Sequence, residues 1–87
     1  MTQFEGHELQ RRTFDSMERV ILAERLALAE RHVAEAQDHV LRQRAIVDGL
    51  AHDRHDASPA NELLGEYVRS LELCTEDCER IKAELAL

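Results

Sequence analysis

Eighty-seven residues, 44% apolar and 33% charged, make one small domain: too short for a large core, too apolar for disorder throughout. Three Gly, one Pro and three aromatic residues (Phe4, Phe14, Tyr67), set among abundant Ala, Leu, Glu and Arg, argue against a sheet and for long helices. The net charge of −7 divides unevenly, −1 over residues 1–44 and −6 over residues 45–87, and the acidic second half argues against nucleic acid or an anionic membrane as partner.

Residues 1–14 read as an N-terminal arm or short helix carrying Phe4, Leu9 and Phe14. No signal peptide opens the chain, and no run of 18 apolar residues occurs, so a soluble cytoplasmic protein is expected. Asp15, followed three residues later by Glu18, has the spacing of a capping box and marks the start of a helix.

From Leu22 the apolar residues recur at alternating steps of four and three: Leu22, Leu26, Ala29, Val33, Ala36, Val40, Gln43, Val47, Leu50. Such spacing draws a stripe along one helix face, with Leu26, Val33, Val40 and Val47 at heptad position a and the others at d. Gln43 is the one polar member. The first helix is therefore expected over about residues 15–53.

Residues 51–59 are polar and end in helix-start chemistry. Ser58 offers a cap and Pro59 a first helical position, where its missing N–H costs nothing, and Asp56 is a rival cap. A turn over 54–57 and a second helix over about 58–86 follow. The second stripe is Ala60, Leu64, Tyr67, Leu71, Cys74, Cys78, Ile81, Leu85. A short connection between long helices makes them antiparallel neighbours, so the hairpin spans residues 15–87.

In an antiparallel pair, g faces g and e faces e. Level residues lie about equally far from residue 55, which sets Arg25 against Glu84, His32 against Asp77, His39 against Ser70 and Ile46 against Leu63 at g. At e it sets Glu30 against Lys82, Gln37 against Thr75 and Arg44 against Val68. No like-charge pair arises, and the set as a whole selects this alignment. Leu28, Leu41, Ile46, Leu63, Val68 and Leu73 widen the stripe beyond what two helices need, which predicts a homodimer forming a four-helix bundle.

The candidate sites are few. Cys74 and Cys78, one turn apart on the stripe, read as small buried hydrophobes, because their parallel Cβ vectors suit neither a disulfide nor, without further ligands, a metal. His32 and His39 at g, with Glu35 between them, and His52 and His55 in the turn, beside Asp53 and Asp56, are the candidate metal ligands; no metal or other cofactor is called for. A di-iron bundle would want an acid at 29 or 36, and both are Ala. His7-Glu8-Leu9 resembles the opening of the phospho-accepting box of sensor histidine kinases, whose dimerisation domain is a helical hairpin, but Arg12 stands where that family has Pro. Catalytic triads, phosphate loops and HExxH are absent, so no enzyme is expected.

Gln43-Arg44-Ala45-Ile46-Val47 with Leu50, then His55-Asp56-Ala57, Ala60, Leu63-Leu64 and Ile81 to Leu85, is similar to a group of short helical-hairpin proteins common in alphaproteobacteria, over about residues 29–85. The group often carries Gly where Arg54 stands, and the resemblance implies the fold and no activity. The leading functional expectation is a non-enzymatic interaction or oligomerisation module. Its acidic outer face is Glu62, Glu66, Glu72, Glu76 and Glu79, and its contact surface is an apolar overhang of Phe4, Leu9, Phe14, Met17, Val20 and Ile21. Its partners would be a second copy and a protein with a basic or apolar surface. The rival expectations are a small metal- or ligand-binding bundle using the His residues and a phosphorelay-type hairpin using His7.

Overall fold

The computed structural model describes residues 15–87, and the expectations that fall on Phe4, His7, Leu9 and Phe14 lie outside them. Among the described residues there are two helices: α1, Ser16–His52, and α2, Ser58–Ala86. They pack along their length as a hairpin.

The burial pattern follows the two stripes. Every member of both series is buried or half-buried, while most other described residues are exposed, the half-buried exceptions being Ala57, Val68 and Glu84. Leu22, Ala29, Cys78 and Ile81 form the buried centre, with Leu26, Val33 and Leu85 packed against it. Two helices make a thin core: among the described residues no large side chain is completely enclosed. Much of the apolar surface that a third or fourth helix would cover stays in water.

The ends of α1 are chemically defined. At its start, the Asp15 carboxylate accepts a 2.8 Å bond from the Glu18 backbone N–H, satisfying one of the first-turn donors. At its end, Arg54 N–H donates to the Ala51 carbonyl at 3.2 Å and His55 N–H to the Leu50 carbonyl at 2.9 Å. This pair of bonds is a Schellman motif, and it requires the residue between helix and turn to be left-handed. That residue is Arg54, at φ 61°. A side chain with a Cβ thus occupies a position where Gly is favoured.

The start of α2 differs from the sequence expectation. Ser58 is the first helical residue and does not cap; Pro59 follows it inside the first turn. Asp56 is not the cap either: Ala57 stands there without a side-chain bond, and the Asp56 carboxylate one residue earlier accepts from Ser58 N–H at 3.0 Å. An Asp two residues ahead of a free N–H closes such a turn more readily than a Ser can from within the helix.

The C-terminal end of α2 has no basic residue in its last turn. The cation comes from α1, where the Arg19 guanidinium donates to the Leu85 carbonyl at 3.2 Å. It satisfies a carbonyl that the helix end leaves without a partner and sits at the negative pole of the helix dipole.

Candidate functional site

The two flanks of the hairpin, on either side of the buried seam, are its principal surfaces. One flank carries a groove between Glu30, Gln37, Thr75 and Lys82, all at position e. The other carries two shallow grooves. The first is bounded by Arg25, Leu28, His32 and Asp77, and the second by Glu18, Ile21, Arg25 and Glu84. Residues expected to be level therefore do share a groove: Arg25 with Glu84, His32 with Asp77, Glu30 with Lys82 and Gln37 with Thr75.

The ion pairs expected across the grooves do not close. Among the described residues the salt bridges are local: Arg42–Asp38 at 2.9 Å, Arg80–Asp77 at 3.7 Å and Lys82–Glu79 at 3.6 Å. Lys82 turns to its own helix rather than to Glu30, and Asp77 to Arg80 rather than to His32. Exposed pairs of either kind contribute little, and a partner one turn away immobilises less side chain than one across a groove. The His39 ring lies against Tyr67, centroids 5.4 Å apart and tilted by 43°.

Gln43 is the polar residue the seam encloses. It is only 7% exposed, and its amide nitrogen donates to the Ala60 carbonyl at 2.8 Å. The bond joins the last third of α1 to the first turn of α2 and leaves no buried polar side-chain atom without a partner among the described residues. The sequence carried a signal for it, the single polar residue in an otherwise apolar series. Arg19 carried none, because its role depends on where α2 ends.

The candidate metal ligands are dispersed. His32, His39, His52 and His55 are all exposed. Among the described residues, no three His, Cys, Asp or Glu side chains gather as a ligand set. Cys74 is half-buried and Cys78 buried, both as free thiols on the seam. Of the candidate interaction residues, Met17, Val20 and Ile21 stand exposed at 66%, 50% and 47%. No helix among the described residues is long and apolar enough to cross a membrane.

The large apolar side chains outside the seam are unevenly placed. Among the described residues nine remain exposed, and six of them, Ile21, Leu28, Ile46, Leu63, Leu73 and Leu87, fall at heptad positions g and c, on the flank that holds Arg25 and His32. Leu41 and Val20 fall at b, toward the other flank, and Met17 at f, on the back of α1.

Comparison of the chain with protein-family models, curated proteins and solved structures finds no match.

Proposed function

We propose that this protein is a non-enzymatic interaction module that works as a homodimer of hairpins, the two copies making a four-helix bundle. One observation carries the reading: the seam buries its own stripe and leaves six large apolar side chains exposed on a single flank. An apolar surface gathered on one side of a small soluble fold is unfavourable in water and marks a contact. The thin two-helix core supports the same reading, since chains of this size commonly gain stability from a second subunit. Beyond the dimer, Met17 and Val20 on α1, with the acidic Glu62, Glu72, Glu76 and Glu79 of α2, form the surface offered to a partner that is apolar or basic.

The test is sedimentation equilibrium of the full chain from about one to one hundred micromolar. A dimer across most of that range is expected for a standard-sized interface. A monomer at every concentration would overturn the reading.

A further inference from the structure

The exposed apolar residues select a flank, and the charges on that flank select an arrangement. Resting on the self-association proposed above, we infer that the second copy packs on the flank holding Leu28, Ile46, Leu63 and Leu73, with both turns at the same end and α1 of each copy over α2 of the other.

The area is sufficient. The 29 residues of α2 run for about 44 Å, and two helices of roughly 10 Å diameter make a flank of about 900 Å², close to the ~800 Å² each partner gives to a standard interface.

Two face-to-face twofold arrangements exist. A twofold axis across the helices stacks α2 on the partner's α2. That arrangement brings the flank's acids, Glu66, Asp77 and Glu84, onto a second α2 carrying the same excess of acids. A twofold axis along the helices keeps every residue at its own level, and α1 then meets the partner's α2 in the same alignment that it has with its own. Ile46 meets the partner's Leu63, His32 the partner's Asp77, Arg25 the partner's Glu84 and Arg42 the partner's Glu66. Each of these four contacts is apolar on apolar or joins a basic side chain to an acidic one; at the same levels Leu28 meets the partner's Arg80 and Leu73 the partner's Glu35, so no like charges are juxtaposed, as they are in wrong pairings. All neighbouring helices in the resulting bundle run antiparallel, as short-loop bundles do.

Two measurements on the full chain test this. Leu73→Glu on the proposed flank and Leu41→Glu on the opposite one are compared by sedimentation and by circular dichroism. Leu73→Glu is expected to be a helical monomer at concentrations where the native chain and Leu41→Glu are dimers. If Leu41→Glu dissociates and Leu73→Glu does not, the flank is wrong while self-association stands; if the native chain never dimerises, both fall. The orientation is read separately with His55→Cys and a short bis-maleimide linker. Covalent dimer is expected, with none from the native chain, whose thiols lie on the seam. A dimer that His55→Cys cannot crosslink has its turns at opposite ends, roughly 55 Å apart, and overturns the arrangement.

Discussion

Gln43 donates its side-chain amide to the Ala60 carbonyl at 2.8 Å, which ties the two helices together beside the turn through the one polar residue of the seam. Ala60 lies within α2, so its carbonyl also has a helical donor four residues on. Removing Gln43 therefore orphans nothing at Ala60. Gln43→Ala is expected to cost about 1–2 kcal/mol, through a lost hydrogen bond and lost packing. Gln43→Leu is expected to match or exceed native stability while specifying the alignment less strictly, as polar seam residues do elsewhere. Urea denaturation measures the first effect, and the spread of oligomeric species in sedimentation velocity the second. A large destabilisation by Leu would show that the amide does more than set register.

Arg54 holds φ 61° so that the Schellman bonds of Leu50 and Ala51 can form. A left-handed residue with a Cβ costs roughly 1 kcal/mol that Gly does not. Arg54→Gly is expected to raise stability by about 0.5–1 kcal/mol, the gain being reduced by the greater freedom of Gly in the unfolded chain. Arg54→Val, β-branched, is expected to lower it by about 1 kcal/mol or more. Thermal melts of the three forms at one protein concentration give the order directly, and any order other than Gly above Arg above Val would be inconsistent with this turn.

The Asp56 carboxyl is held below its ordinary value near 3.8 by the Ser58 backbone N–H, and secondarily by the Ser58 hydroxyl, with slight desolvation opposing. Because the folded value is the lower one, the ionised carboxylate stabilises the fold above the ordinary value, and that contribution disappears as pH falls from about 4 through the folded value. Asp56→Asn is expected to flatten the acid limb of the melting-temperature profile below pH 4 while leaving its shape between pH 6 and 8 unchanged. An identical acid limb in the variant would show that the bond from Ser58 to Asp56 is not in use.

Much of this fold was legible in the residues, and the reasons separate cleanly. Leu22 to Leu50 and Ala60 to Leu85 are buried or half-buried to the last member because seam burial is a strong, non-directional effect summed over many residues. The choice between Glu79 and Glu30 as partner for Lys82 turns on differences of a few tenths of a kcal/mol between side chains of equal chemistry, and the bond that Asp56 rather than Ser58 makes at the start of α2 on a shift of one or two residues. Spacing does not resolve such differences. Arg54 was marked only by the Gly that the resembling group often carries there, since its left-handed backbone is dictated by the bonds to Leu50 and Ala51 and not by its side chain. The candidate surface was legible as residues but not as a face: Leu28 and Leu73 share a flank only once the two helices are set level.

Arg19 at the Leu85 carbonyl supplies the positive charge that the end of α2 lacks. Arg19→Ala is expected to cost less than about 1 kcal/mol globally, since the contact is exposed, but to fray the last turn. Hydrogen exchange localises the effect: amides of residues 82–87 should exchange faster, with those of residues 64–74 unchanged. Arg25→Glu, whose groove partner Glu84 forms no closed pair within the hairpin, should by contrast change the stability of the single hairpin by no more than about 0.5 kcal/mol, while weakening the dimer, where it would face the partner's Glu84. A clear gain in stability from Arg25→Glu would count against the alignment of the two helices.

Met17 and Val20 separate the two roles open to the first turns of α1. Both are exposed, and neither lies on the flank assigned to the second copy. If they face a partner, Met17→Ser with Val20→Ser should leave helix content and the dimer intact and shift stability by no more than about 0.5 kcal/mol each, as surface changes do. The same double change should abolish capture of whichever host proteins the native chain retains, since apolar anchors carry most of the energy of such contacts. If they complete the dimer core, the double change should lower the melting temperature and weaken the dimer together. Parallel affinity capture and sedimentation of the native and doubly substituted chains distinguish these. An unchanged set of captured proteins with an intact dimer would remove Met17 and Val20 from the contact surface altogether.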